Sequence, residues 1–196
     1  MYTEIIKKLG ATSLEDNFNS DNNIKEIEKR FKFKFPKNYV ELLKNFRTSI
    51  IFNNGIFYKP LVYSPACNKD GFQNLDILFG LNGKHNLIDE NLNYSEIIPE
   101  GYIAIGESDG VDLLLLNSKN SSVYFLDHEA QTYDSMLFKI SDNIDNFISN
   151  LCSNSAEDNI EKKSDEDLGI VTANLSSLDA FVAQNKKLMN SLRKSK

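Results

Sequence analysis

The sequence predicts an α+β fold in which helices cover a mainly antiparallel sheet. Residues 101–129 contain three short apolar runs, 102–105, 111–116 and 123–126, separated by turn segments rich in Gly, Asp, Asn and Ser. This arrangement is typical of a three-stranded antiparallel meander. Apolar residues with helical spacing occur before and after it. Because the chain has 196 residues, of which 41% are hydrophobic, it is long enough to bury one core.

The middle run of the meander predicts a buried central strand. Residues 113–116 are all leucine, whereas the first and third runs partly alternate polar and apolar positions. A strand that is apolar at every position is typical of one covered on both faces. We therefore expect the neighbouring helices to pack on the sheet.

Two helices are predicted in quick succession before the sheet, after a short first helix over residues 3–9. Ser20, Asp21 and Asn22 offer N-cap chemistry for the first of the pair, and the second begins at Pro36. Their apolar faces comprise Ile24, Ile27 and Phe31 in the first helix and Tyr39, Leu42, Leu43 and Phe46 in the second. The two helices should form a helical hairpin.

The remaining elements are predicted from shorter signals. A hairpin is expected from residues 50–52 and 56–58 around an Asn-Asn-Gly turn, and a strand over 72–79. Residues 61–63, between two prolines, should lie near a sheet edge if they form a strand. No regular structure is predicted for the polar residues 82–93.

The last core helix is expected to begin within residues 136–140. Its clearest part has Ser141 as N-cap and Asp142 and Asp145 in the first turn. Its apolar stripe comprises Ile144, Phe147, Ile148 and Leu151. This helix should close the core.

The amino-acid composition becomes polar and acidic after Cys152, and this change divides the chain into three predicted parts. Residues 1–152 form the folded domain, 153–175 an acidic linker, and 176–196 an amphipathic tail helix. The tail helix is expected to dock on its own domain or to form a homodimer, with a partner-binding arm as the alternative. Docking or dimerisation is favoured because a free amphipathic helix exposes its apolar stripe to water.

Two segments carry a family resemblance. The segment IKEIEKRFKFKFPKNYVELLKNF (24–46), together with IAIGESDGVDLLLL and VYFLDHE in the meander, resembles the SUKH superfamily. The superfamily includes bacterial immunity proteins and the fungal Smi/Knr cell-wall regulators. The resemblance covers about residues 24–151 and implies a SUKH-like α+β fold.

The resemblance also implies a non-catalytic protein that binds another protein. The expected function is that of an immunity protein, which neutralises a cognate toxin by occluding it. The alternatives are a regulatory scaffold of the Smi/Knr type and, less favoured, an enzyme with an unrecognised site. The adjacent gene would distinguish them, because an immunity gene should lie beside a gene for a toxin.

The net charge of the chain indicates which class of partner it binds. The formal net charge of −6 and pI near 5.0 argue against nucleic acid as a direct ligand and fit a basic toxin such as a nuclease. The basic residues of 25–37 are interleaved with Glu26 and Glu28, which is typical of a charged solvent face. The candidate partner-binding residues are Glu107, Asp109, Asp112, Asp127, Glu129 and Asp134.

Neither catalysis nor a cofactor is predicted. Asp127, His128 and Glu129 are adjacent, and on a strand their side chains would point to alternate faces, so His128 should diverge from both carboxylates and bond to backbone. The acids of the 106–112 turn favour a solvated turn over a cation loop. No nucleophile elbow, phosphate loop or metal-ligand spacing occurs, and we predict no metal.

The sequence favours a cytoplasmic protein that does not bind membranes. No apolar run approaches the roughly 20 residues that cross a bilayer. The first nine residues include Glu4, Lys7 and Lys8 and lack a cleavage-site pattern, which does not resemble a signal peptide.

Overall fold

The computed structural model of the chain describes residues 2–16, 23–130 and 136–153, and within them it contains five helices and eight strands. In chain order these are α1 (Tyr2–Lys8), β1 (Ala11–Ser13), α2 (Ile24–Arg30), α3 (Lys37–Phe46), β2 (Ile50–Tyr58), β3 (Gln73–Leu78), α4 (Leu87–Asn93), β4 (Tyr102–Ser108), β5 (Asp112–Asn117), β6 (Val123–Leu126), β7 (Leu137–Ser141), α5 (Ile144–Ser149) and β8 (Cys152–Ser153).

All eight strands belong to one sheet. Strands β1 to β7 follow one another in space as they do in the sequence, each antiparallel to the next, and β8 pairs with β2. Antiparallel pairing of sequential strands needs no crossover connection. The predicted α+β class with a mainly antiparallel sheet is confirmed.

The predicted meander is confirmed as β4, β5 and β6. Leucines 113–116 pair with β4 on one side and with β6 on the other. All four side chains are fully buried, in one apolar core with the buried residues of the helices. The uninterrupted leucine run therefore lies at the centre of the sheet.

The two helices before the sheet are confirmed as α2 and α3. The side chain of Asn23 caps α2 and accepts a hydrogen bond of 2.9 Å from the backbone N–H of Lys25. The predicted N-cap residues Ser20, Asp21 and Asn22 lie outside the described residues. Helix α1 is also confirmed, and it contacts α3 and α5.

The predicted hairpin at residues 50–58 is wrong. These residues form the single strand β2, which pairs with β3 on both sides of a register shift between Ile51 and Ile56. The Asn-Asn-Gly residues lie within this irregularity, where a bulge takes up the extra residues without reversing the chain. The strand predicted over 72–79 is confirmed as β3.

The start of the last helix is also predicted wrongly. Residues 137–141 form strand β7, whose Phe138 pairs with Phe125 of β6. Ser141 is not the N-cap of α5, because Asn143 caps it and accepts a 2.8 Å hydrogen bond from the backbone N–H of Asn146. The predicted apolar stripe is confirmed for Ile144, Phe147 and Ile148, which are buried on α5, whereas Leu151 is buried just beyond the end of the helix.

Residues 59–72 connect β2 to β3 and cover the outer edge of β7. The backbone N–H groups of Leu61 and Val62 donate hydrogen bonds of 3.0 and 2.9 Å to the carbonyls of Ile140 and Lys139. The segment forms no strand, but it lies at the sheet edge as expected. The side chains of Leu61, Val62 and Tyr63 remain exposed.

Helix α4 lies within residues 82–93, for which no regular structure is predicted. Asn86 caps the helix and accepts hydrogen bonds from the N–H groups of Ile88 and Asp89. Buried Asn91 then joins α4 to β4: Ala104 N–H donates to Asn91 Oδ1 at 2.7 Å, and Asn91 Nδ2 donates to the Ala104 carbonyl at 2.8 Å. The amide therefore acts as a strand partner for Ala104.

The structure describes little beyond the core domain. Strand β8 includes Ser153, and residues 154–196 lie outside the described part. The acidic linker and the tail helix therefore stay predictions. Among the described helices, none combines the length and apolar character that crossing a membrane requires.

Candidate functional site

The register of β4 and β5 separates the predicted acidic residues. Ser108 pairs with Asp112, and Glu107 pairs with Leu113. Paired residues share a face of the sheet, whereas neighbours along a strand lie on opposite faces. Asp112 therefore lies on one face and Glu107 on the other.

Four of the six predicted residues surround one surface pocket of about 340 Å³. They come from the β4–β5 turn with the first residue of β5 and from the turn after β6, which are adjacent because these strands are paired. We call this site the acidic pocket, and it is lined by Asp109, Asp112, Asp127, Glu129, His128, Pro65, Ala66 and Val111. Of the other two predicted residues, Glu107 lies elsewhere and Asp134 lies outside the described residues.

His128 is held by Asp112. Asp112 Oδ1 accepts two hydrogen bonds from His128, at 3.0 Å from the backbone N–H and at 2.6 Å from the ring Nδ1. The expectation that this ring bonds to backbone is wrong, and so is its expected divergence from Asp127, since a donor atom of each lies within 4.8 Å of the other. Strand β6 ends at Leu126, so residues 127 and 128 lie in a turn, and strand alternation does not apply to them.

Three possible metal-ligating groups consequently meet in the acidic pocket. One donor atom each of Asp112, Asp127 and His128 lies within 4.8 Å of the other two. The hydrogen bond to Asp112 raises the pKa of His128, and the charges of Glu129 and Asp127 add to this effect. His128 therefore tends to be protonated beside these carboxylates.

Asp109 lines the acidic pocket and contacts a buried polar network, since its Oδ2 lies 3.4 Å from the hydroxyl oxygen of Ser108. Burial raises its pKa, and the charge of Asp76 raises it further. The neighbouring Ser108 hydroxyl is within 2.9 Å of the buried Tyr58 hydroxyl and donates to the Asn74 carbonyl. This network holds the start of the β4–β5 turn against β2 and β3.

Sequence reasoning missed the apolar part of the acidic pocket. Pro65 and Ala66 reach it from the β2–β3 connection, which is distant in sequence and carries no motif. Val111 is 49% exposed in the β4–β5 turn. A β-branched apolar residue between Gly110 and Asp112 was a usable signal, because turns favour polar residues there.

Glu107 joins a different group of side chains. One donor atom each of His85, Glu90 and Glu107 lies within 4.8 Å of the other two, and His85 Nδ1 is 3.0 Å from Glu90 Oε1. Burial raises the pKa of Glu107, the imidazole of His85 opposes this rise, and the charge of Glu90 increases it. This cluster could not be identified from the sequence, because its members are brought together only by α4 packing on β4.

Comparison with known proteins supports the resemblance. The profile of the SMI1 / KNR4 family (SUKH-1) matches residues 19–150. The chain belongs to the SUKH-1 family. The match includes α2 and α3 as well as the meander that forms the acidic pocket. No curated protein matches the chain.

Membership of SUKH-1 indicates an immunity-type or Smi/Knr-like protein. The family also accounts for the confirmed α+β fold with a mainly antiparallel sheet. A fold does not give the partner or the binding surface, which have to be argued from the site.

The His128–Asp112 pair predicts a pH dependence of stability. A histidine with a raised folded-state pKa contributes stability that is fully present below its unfolded pKa, near 6.5. This contribution is lost as pH rises through the folded pKa. We expect the stability advantage of the wild type over His128→Gln to be greatest near pH 6, below the unfolded pKa, and to shrink as the pH rises through the raised folded pKa.

Thermal unfolding of both proteins across this pH range measures the effect. Asp112→Asn is the second variant, because it leaves the imidazole without its carboxylate and should remove the same pH-dependent increment. A wild-type advantage that stays constant with pH would show that the pair does not couple protonation to folding.

Proposed function

We propose that this SUKH-1 protein is a non-catalytic immunity protein that neutralises a cognate bacterial toxin by binding and occluding it. The observation that supports this most is the convergence of four carboxylates around one pocket, beside the exposed apolar Val111. Such a surface combines apolar contact area with charges that orient a partner.

The charges of the acidic pocket favour a basic partner. Among the side chains that line it, only His128 can carry a positive charge, and its ring is bonded to Asp112. The chain as a whole has a formal net charge of −6. Opposite charge on the toxin, as on a nuclease, would therefore accelerate association.

Apolar residues of the β2–β3 connection would supply affinity. The connection that brings Pro65 and Ala66 to the pocket also exposes Leu61, Val62 and Tyr63. Aromatic side chains at the centre of an interface often contribute much of its binding energy. We infer that the toxin contacts this connection as well as the carboxylates.

The other partner predictions remain part of this proposal. We infer a cytoplasmic protein that binds neither nucleic acid nor membranes, and a tail helix that docks or forms a homodimer. The second candidate function is a Smi/Knr-type regulatory scaffold, which the family description favours equally. Such a scaffold would bind several signalling proteins, and its gene would not lie beside a toxin gene.

The decisive experiment uses the toxin domain encoded by the adjacent gene. Co-expression of this chain should restore growth to cells that produce the toxin. The double variant Asp127→Lys/Glu129→Lys should slow association with the purified toxin domain about 10-fold or more at low salt, because it reverses two charges at the pocket.

Glu26→Lys/Glu41→Lys is the matched control, since both of its residues are exposed on α2 and α3. Each double variant changes the formal net charge of −6 by +4, so only the position of the charges differs. Equal association rates for the two variants would exclude the acidic pocket as the contact surface. Failure of the wild type to restore growth would contradict the immunity function and favour a scaffold.

A further inference from the structure

His85, Glu90 and Glu107 come from two parts of the chain, the start of α4 and strand β4. His85 immediately precedes the N-cap of α4, Glu90 lies in the first turn of α4, and Glu107 lies in β4. The distance of 3.0 Å between His85 Nδ1 and Glu90 Oε1 is close to the separation of two ligands on one ion, about 3.3 Å for bonds of about 2.0 Å. Small side-chain rotations would bring Glu107 to the same ion.

The backbone around these three residues is well anchored. Asn91, the neighbour of Glu90, bonds to both backbone groups of Ala104, three residues before Glu107. The Ser49 hydroxyl donates a 2.7 Å hydrogen bond to the carbonyl of His85. The backbone positions of the three residues are therefore set by contacts that do not involve their own side chains.

The cluster carries more negative charge than its neighbours neutralise. Glu90 is only 9% exposed and Glu107 is half-buried. Within the described part of the chain, His85 is the sole ion-pair partner of Glu90, and Glu107 forms no ion pair. Burial raises the pKa of Tyr94, and the charges of Glu107 and Glu90 raise it further, so the Tyr94 phenol also lies in this negative field.

We propose that His85, Glu90 and Glu107 form a binding site for a divalent transition-metal ion of the zinc type. One imidazole nitrogen and two carboxylates match the ligands that zinc takes in proteins, and they leave a fourth position open. Magnesium and calcium prefer sites made of oxygen ligands alone. The ion would neutralise the two carboxylates and replace the proton that joins His85 to Glu90.

This site is distinct from the acidic pocket. Glu107 and Asp112 lie on opposite faces of the sheet, and the metal cluster shares no residue with the pocket lining. The ion would join the start of α4 to β4, and it would stabilise the folded chain because the unfolded chain lacks the assembled site. The proposal therefore does not depend on the identity of a toxin.

Calorimetric titration of the full chain with Zn²⁺ alone tests the proposal. We expect one ion per chain, and at least about tenfold weaker binding in His85→Gln and in Glu107→Gln. Zinc should also raise the unfolding temperature of the wild type more than that of either variant. Unfolding without zinc shows whether each variant is folded, and having two variants keeps the test valid if one of them is not.

Asp127→Asn/His128→Gln is the matched control, because it removes a carboxylate and an imidazole from the acidic pocket. Zinc affinity should be unchanged in this control. Loss of binding in the control but not in His85→Gln and Glu107→Gln would place the ion in the acidic pocket and overturn the proposal. Unchanged affinity in all variants, or no binding at about 100 µM Zn²⁺, would also overturn it.

Discussion

Replacing Leu114 by Ala is expected to lower the free energy of unfolding by about 3–5 kcal/mol. Leu114 is fully buried in β5, between Gly106 of β4 and Phe125 of β6. The variant loses the transfer free energy of the removed atoms and leaves a cavity. Because Gly106 has no side chain, and because the neighbouring backbone is held in the ladder, the surroundings cannot close this cavity easily.

Urea denaturation of the wild type and the variant measures the loss. Leu92→Ala is the matched control, because Leu92 is 43% exposed on α4, and it should change stability by less than about 0.5 kcal/mol. If Leu114→Ala cost no more than the control, the leucine run would not be the centre of the core.

Sequence patterns predicted the secondary structure correctly in segments whose structure is determined locally. The leucine run and the turn segments around it predicted three strands, and all three form. The apolar stripe of α3 predicted a helix, and the helix forms with every residue of the stripe buried in the core. In these segments the periodicity along the chain and the contacts made in the fold favour the same structure.

The failures occurred where a distant partner decides the structure. An Asn-Asn-Gly sequence favours a hairpin, but in β2 the residues on either side of it both pair with β3. Residues 136–140 carry no decisive periodicity of their own, and pairing with β6 makes residues 137–141 a strand. Neither partner can be identified from the local sequence.

In the candidate site, too, residues grouped by local chain geometry were predicted correctly, and a residue placed by strand register was not. Asp109, Asp112, Asp127 and Glu129 could be grouped from the sequence, because a meander brings the end of its third strand beside the turn between its first two. Glu107 was grouped with them because it is close in sequence. The pairing register, which includes a shift between Ala104 and Gly106, instead places its side chain on the opposite face.

Helix α4 was missed because its apolar residues form no continuous stripe and because much of its attachment is polar. Its residues are LIDENLN, and Leu92 is exposed, so the segment has no continuous apolar stripe. Besides the fully buried Leu87, the helix is held by Asn91, whose amide pairs with Ala104 where β3 has ended. An asparagine in a polar segment gives no sign of such a contact.

Asn91→Ala is therefore expected to lower the free energy of unfolding by about 2–4 kcal/mol. The substitution leaves both the N–H and the carbonyl of Ala104 without the side-chain partner that each has in the wild type. Ala104 is fully buried, and a buried backbone group that loses its hydrogen bond costs about 1–3 kcal/mol. The higher helix propensity of Ala offsets only a few tenths of a kcal/mol of this loss.

Asn93→Ala is the matched control, since it makes the same chemical change on the same helix at an exposed position. It should alter stability by no more than about 0.5 kcal/mol in urea denaturation. Hydrogen exchange adds a local test, because the Ala104 amide should exchange faster in Asn91→Ala and at the wild-type rate in the control. Similar stability of the two variants would mean that apolar contacts, and not the Asn91 amide, hold α4 against β4. The anchoring inferred for Glu90 and Glu107 would then lose its main support.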